Sequence, residues 1–115
     1  MAINLKICLP DKAFDEENND KVVLPIINGT LTVIDDRAPT MLLLKSGVVQ
    51  LLDKNNKPVK RWFINGGVAD IANNACTVAT EEAVELSGIS LNDAEEKAKE
   101  SLFYREVYNY LKVFG

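Results

Sequence analysis

No histidine occurs anywhere in the 115 residues. The commonest general base and the commonest metal ligand are therefore missing. Only two cysteines occur, Cys8 and Cys76, too few for the disulfide framework of a small secreted domain. Each sits in an apolar run and reads as a buried free thiol, although sequence alone leaves a bridge open. Long apolar runs are lacking too. Nothing approaches the roughly 20 residues needed to span a bilayer, and Met1 to Pro10 lacks the basic-then-apolar order of a signal peptide. Positive charge is scarce: 13 Lys and Arg stand against 17 Asp and Glu, a formal charge of −4. That balance offers no surface for nucleic acid or an anionic membrane. Lys57, Lys60 and Arg61 come close together, but Trp62 and Phe63 follow and a strand accounts for the group. The expectation is a soluble, cytoplasmic protein with no metal, no cofactor and no nucleic-acid partner.

What is present is an ordinary globular balance, 47% apolar and 26% charged, in one domain or one domain with a short appendage. Ile3 to Leu9 alternates apolar and polar, the mark of a half-buried strand, and Pro10-Asp11 ends it. Phe14 to Asp20 is acidic and polar and reads as a bend. Lys21 to Leu24 is a strand broken by Pro25. Asn28-Gly29 tolerates the positive φ of a tight hairpin turn, and Leu31 to Ile34 returns. Asp35 to Pro39 reads as a loop, with Pro39 pushing Ala38 into an extended conformation.

Met41–Leu44 and Val48–Leu52 read as strands around Ser46-Gly47, and 53–58 as a polar hairpin loop. Val59 to Asn65 alternates, with Val59, Arg61 and Phe63 on one face and Lys60, Trp62 and Ile64 on the other. Gly66 and Gly67 mark a structural turn, a bulge or a close backbone approach. Val68–Ile71 and Cys76–Ala79 pair around Asn73-Asn74. Short strands every eight to twelve residues, with turn residues between, predict an all-β sandwich or barrel.

The tail has a different period. Ser90 or Asn92 can cap a helix, and Glu95 and Glu96 fall early, where the helix dipole favours negative charge. Leu91, Ala94, Ala98 and Leu102 form one apolar stripe, taken as the docking face of a helix running to about Leu111. The aromatics Phe103, Tyr104, Tyr108, Tyr110 and Phe114 either pack this tail on the β domain or dock another subunit.

Catalytic constellations are lacking. Asp35-Asp36, Glu81-Glu82 and Glu95-Glu96 have no partner base and read as solvated residues. Gly66-Gly67 lacks the GK[ST] ending and strand-to-helix setting of a phosphate loop. Ser46 and Ser87 have no histidine to activate them, and Cys8 has no helix N-terminus to lower its pKa.

The order of signals resembles the epsilon subunit of the F-type ATP synthase. Ala38-Pro39 matches the family's Gly-His-Ala-Pro element, with Arg37 in place of the usual His. Gly47-Val48, Phe63 to Val68 with its Gly-Gly-aliphatic core, Val78-Ala79 and Glu82-Ala83 follow in the family's order. The resemblance implies a mainly β fold: a flattened antiparallel β-sandwich over residues 1–86, then a short helical segment at 87–115. It implies a non-catalytic central-stalk subunit that binds the gamma subunit and the c-ring. Such a subunit would be a monomer when isolated, and peripheral to the cytoplasmic face of the inner (plasma) membrane through the complex. Ile27, Asn28, Gly29, Arg37, Ala38 and Pro39 would lie together at the c-ring end.

The tail departs from the family pattern. The 28 residues after Ser87 are enough for one long helix or a stunted pair, whereas bacterial relatives carry two full helices that can inhibit hydrolysis. The Ile/Leu-Asp-x-x-Arg-Ala element that binds ATP in some relatives falls on Leu91, Asn92, Glu95 and Glu96. Its Asp and Arg are lost, and a glutamate in the Arg place repels phosphate. Weak or absent inhibition and no useful ATP binding follow. The rivals are a stand-alone β-sandwich adaptor, which would fail to bind a gamma subunit, and a nucleotide-responsive regulator, which would bind ATP in a calorimeter.

Overall fold

The computed structural model of the chain describes residues 2–34 and 38–114. Ten strands come first: β1 (Ile3–Leu9), β2 (Lys12–Asn19), β3 (Lys21–Ile26), β4 (Gly29–Val33), β5 (Thr40–Leu44), β6 (Gly47–Leu52), β7 (Pro58–Ile64), β8 (Gly67–Ala72), β9 (Ala75–Ala79) and β10 (Ala83–Glu85). A 3-10 turn at Leu86–Gly88 leads to helices α1 (Leu91–Ala98) and α2 (Leu102–Phe114). The strands form two five-stranded sheets. Sheet 1 has the order β2-β1-β9-β8-β5 and sheet 2 the order β10-β7-β6-β3-β4. Every neighbouring pair is antiparallel except β1 and β9, which run parallel from Asn4↔Ala75 to Cys8↔Ala79. The expected sandwich with a helical tail is thus the architecture. The parallel pair joins the first strand to the last of sheet 1, a pairing no tight hairpin can make.

Period-two alternation builds the core. Ile3, Leu5 and Ile7 of β1, Ala69 and Ile71 of β8, and Cys76 and Val78 of β9 face inward from sheet 1. Val22 and Leu24, Val33, Val49 and Leu51, and Trp62 and Ile64 meet them from sheet 2. Successive side chains of a strand point to opposite faces, so each run buries one set and leaves the other to the outside. The β8–β9 hairpin turns on Asn73 and Asn74 at φ 52° and 59°, the left-handed pair that a two-residue turn requires.

Three expectations need correction. The acidic stretch from Phe14 is not a bend but most of edge strand β2; its carboxylates blunt an open sheet edge. Pro25 does not end β3, which continues to Ile26. The pairing of β3 with β6 stops at Val23↔Gln50, and the Pro25 carbonyl accepts from the Lys45 N–H at 3.1 Å on that side, so no ladder bond is lost there. The strands read on either side of Ser46-Gly47 are present and belong to different sheets, β5 to sheet 1 and β6 to sheet 2. Of the two readings of the tail, the helix running to about Leu111 fails and the stunted pair is found, as α1 and α2.

Ser90 caps α1 in a reciprocal box with Asp93. The chain then turns through 99–101, and the Ser101 Oγ accepts from the Tyr104 N–H at 3.4 Å to open α2. A Ser at that point offers the backbone a cap in place of continued helix.

A polar clasp closes the side of the sandwich where β2 lies over β7. Asp15, in register with buried Ile7, points inward. Its carboxylate accepts from the Trp62 Nε1–H at 3.0 Å and pairs with Lys60 Nζ at 2.7 Å. Glu17 and Glu85 complete the set, at 3.3 and 3.9 Å from the same ammonium. Burial pushes the Asp15 carboxyl up, but the hydrogen bonds from Lys60 and Trp62 outweigh it and hold it below its ordinary 3.8. The Asp15 hydrogen bond in turn raises Lys60 above 10.5.

Asp15, being depressed, stabilises the fold fully above pH 3.8 and loses that effect as pH falls through its lower folded value. Lys60, being raised, contributes fully below pH 10.5 and loses it as pH rises through its higher folded value. Asp15→Ala, which orphans the buried Trp62 N–H, is expected to lower stability at pH 7 by about 2 kcal/mol. Asp15→Asn keeps an acceptor for that N–H and should cost less. Urea titrations from pH 7 downward should show the wild-type advantage over Asp15→Asn shrinking as pH falls through the depressed folded value of Asp15.

Candidate functional site

The two outer faces of the sandwich have different fates. On sheet 2, strand registers bring Val48, Phe63 and Val84 into one row across β6, β7 and β10. The tail covers this row. Phe63 is 5% exposed and shares a cluster with buried Leu86, Ala94, Phe103 and Val107. Its ring lies 5.9 Å from that of Phe103 and 5.8 Å from that of Tyr110. Two residues earlier on the same face, Arg61 Nη1 donates to the Tyr110 hydroxyl at 3.2 Å. The alternation read from the sequence, Arg61 and Phe63 against Trp62 and Ile64, is the alternation that divides tail contact from core.

The docking stripe needs revision. Ala94 is buried and Ala98 half-buried, but Leu91 is 43% and Leu102 73% exposed. The tail docks through Phe103, Val107 and Tyr110 instead. These continue to Phe114 at spacings of four, three and four, a stripe one position out of phase with Leu102. The break at Ser101 resets the helical phase, so a stripe drawn through both helices could not hold.

Among the described residues, nothing covers the outer face of sheet 1. The registers align Leu43, Val68, Ala79, Cys8 and Ala13 in a single row across all five strands. Leu43 is 78% exposed and its strand neighbour Met41 70%. Beside the row, Cys8, Leu9, Pro10, Val68, Ala79 and Thr80 line a hollow of about 400 Å³. The floor depends on Gly67, at φ 137°, where an added Cβ would sit 2.1 Å from the Ala79 carbonyl oxygen. Gly66, at φ 68°, makes the corner that carries the chain from sheet 2 to sheet 1. No single-sequence signal predicted the row, because its members come from five strands and only the registers align them.

The sequence-derived loop contacts do not converge. Ile27, 84% exposed, tips the β3–β4 hairpin beside exposed Asn28 and half-buried Gly29. Ala38 and Pro39 are exposed but lie before Thr40, at the far end of β5. The near end of β5 is fixed beside this hairpin by the Lys45–Pro25 bond. About 17 Å of strand separates the two loops, so they do not share one end of the sandwich as expected. Arg37, Asp35 and Asp36 lie outside the described residues.

The acidic pairs Glu81-Glu82 and Glu95-Glu96 stand apart in the chain, and the Ser46 hydroxyl donates to Asn65 Oδ1 at 3.1 Å. Burial, with a smaller contribution from the Asp70 carboxylate, pushes the Cys76 thiol up to about 12. That sulfur stays protonated and inert at neutral pH. Among the described residues no group of three His, Cys, Asp or Glu could hold a metal ion, and no helix is long and apolar enough to cross a membrane. The chemistry on offer is a bare apolar face, a hairpin tip and a covered face, which is equipment for contact with other chains.

Comparison with known proteins agrees. The family described as "ATP synthase, Delta/Epsilon chain, beta-sandwich domain" matches residues 2–86. The chain belongs to this family of ATP synthase subunits, and so is a non-catalytic part of such an assembly. Among relatives, the ATP synthase epsilon chain of Gluconacetobacter diazotrophicus is 33% identical over 87% of this chain and 70% of its own length. The epsilon chain of Rhizobium meliloti is 34% identical over 88% and 77%, and the chloroplastic epsilon chain of Pyropia yezoensis 32% identical over 84% and 70%.

Similar folds occur in two solved assemblies. One is the Euglena gracilis mitochondrial ATP synthase, OSCP/F1/c-ring, with TM-score 0.64 and 22% identity, covering 85% of this chain and 66% of that chain. The other is the central stalk/c-ring of the Tetrahymena thermophila mitochondrial enzyme, with TM-score 0.58 and 11% identity, covering 92% and 96%.

The revised docking face carries a test. Phe63→Ala is expected to lower stability in urea by about 3 kcal/mol and to open residues 90–114 to trypsin. Leu102→Ala, at an exposed position, should change stability by less than about 0.5 kcal/mol.

Proposed function

We propose that this chain is a central-stalk subunit of a proton-translocating F-type ATP synthase, where it couples rotation to ATP synthesis. It binds the gamma subunit through the outer face of sheet 1. It meets the c-ring through the β3–β4 tip, at Ile27, Asn28 and Gly29. Ala38 and Pro39, at the other end of β5, are not part of that ring contact. The observation that carries this reading is the asymmetry of the two faces: the tail occupies one apolar row, and nothing among the described residues occupies the other. An exposed, connected apolar row rimmed by polar residues is the physical mark of an interface. The subunit is peripheral to the cytoplasmic face of the membrane, held there by the complex.

The tail inhibits hydrolysis weakly or not at all in this reading. Phe63 and Arg61 hold it down on sheet 2. Its first helix spans eight residues and exposes Leu91, Asn92, Glu95 and Glu96, where two carboxylates repel a nucleotide phosphate.

Light scattering after gel filtration, with the purified gamma subunit of the same enzyme, tests the proposal. A one-to-one complex is expected, weakened about tenfold or more by Ala79→Glu, which sets a charge in the middle of the row. Thr32→Glu, on the outer edge of sheet 2, should leave it unchanged. No association between the two folded proteins would overturn the reading. Deleting residues 88–115 should leave ATP hydrolysis by the reconstituted enzyme nearly unaltered; release of a strong suppression would contradict the view of the tail.

A further inference from the structure

Among the described residues four sheet edges are open in this sandwich, and they are not equally defended. Edge β2 carries Lys12, Asp15, Glu16 and Glu17 and a register shift at Ile7/Cys8. Edge β10 is three residues long. Edge β4 shows solvent only Thr30 and Thr32 from its outer face. Edge β5 has none of the usual protections. Thr40–Leu44 is regular, contains no charge, glycine or proline, and holds Met41 and Leu43 in water at 70% and 78% exposure.

One side of β5 pairs with β8 over its full length, from Thr40↔Ile71 to Leu44↔Gly67. On the other side it has no strand neighbour among the described residues, so alternate N–H and C=O groups point outward along a mainly apolar strand. Proteins that leave such an edge bare use it for pairing, or aggregate through it.

We propose that β5 receives an extended segment of the gamma subunit by strand addition, which makes sheet 1 six-stranded. The inference rests on the reading of sheet 1 as the gamma-binding face and adds the mode of attachment. Continuity identifies the occupant: Leu43 belongs both to the edge and to the row Leu43–Val68–Ala79–Cys8, so a chain that covers the row reaches the edge. Charge narrows the choice. Exposed Asp70 lies directly beside Met41 on β8, so the added segment should carry apolar residues at alternate positions and a lysine or arginine near Asp70. A second copy of this chain would bring another formal charge of −4 and fits less well.

Amide hydrogen exchange read by NMR on the full chain, free and bound to gamma, separates the possibilities. Strand addition is expected to slow alternate amides of 40–44 about a hundredfold in the complex. The double variant Met41→Thr/Leu43→Thr keeps strand propensity at two exposed positions. It should weaken binding about tenfold yet retain the alternating protection in whatever complex forms. A one-to-one complex in which the β5 amides exchange as in the free chain would overturn the inference and leave the gamma-binding reading intact. No complex at all would overturn both. Protection of the free chain that grows with its own concentration would give the edge to a second copy and overturn the assignment to gamma.

Discussion

Strand β7 is apolar on both faces near its end, and the rest of the structure depends on that. Trp62 and Ile64 enter the sandwich while Phe63, between them, faces outward and is still 5% exposed. A strand with one buried face would leave a helical tail nothing to grip. Here the intervening residue, with Arg61 before it, fixes where the tail must lie. Because the tail takes the outer face of sheet 2, a partner that docks on a bare sheet face is left with sheet 1. The division of labour between self-contact and outside contact is thus set within four residues.

The polar residues enforce the same arrangement. Lys60, on the inner face of β7, gathers Asp15, Glu17 and Glu85 at the side where the two sheets would otherwise gape. Carboxylates that protect edge β2 from foreign strands also clamp it to the opposite sheet. At the far side the corner at Gly66 and Gly67 lets the chain change sheets with backbone nearly touching backbone. One side is closed by charge with tryptophan as donor, the other by the absence of side chains. Between them they leave the face that carries Leu43, Val68 and Ala79 without internal partners among the described residues.

Much of the fold was legible in the sequence because period-two alternation is a local signal. The runs at Ile3–Leu9, Val59–Ile64 and Val68–Ala79 declared themselves, as did the turns at Asn28-Gly29 and Asn73-Asn74. The failures share one cause, which is that the deciding partner is remote in the chain. Nothing near Pro25 announces that β6 stops pairing at Gln50, and nothing near Glu16 announces that an acidic stretch becomes an edge strand. The helix break had a local sign in Ser101, overridden by a stripe that ran on by coincidence to Leu102. The candidate site was the least legible part. Its row exists only in the registers of five strands, and Ile27 and Pro39 looked like neighbours until the length of β5 set them apart.

The most direct measurement of the central claim uses a reporter the protein already carries. Cys8 lies in the apolar row of sheet 1 and is half-buried, whereas Cys76 is fully buried with its thiol held protonated. Alkylation by a maleimide under native conditions therefore reads the sheet 1 face alone. If that face binds the gamma subunit while the tail keeps the other, labelling of Cys8 should slow about tenfold or more in the purified complex. An unchanged rate in a complex proven to be one-to-one would contradict the account and place the partner elsewhere.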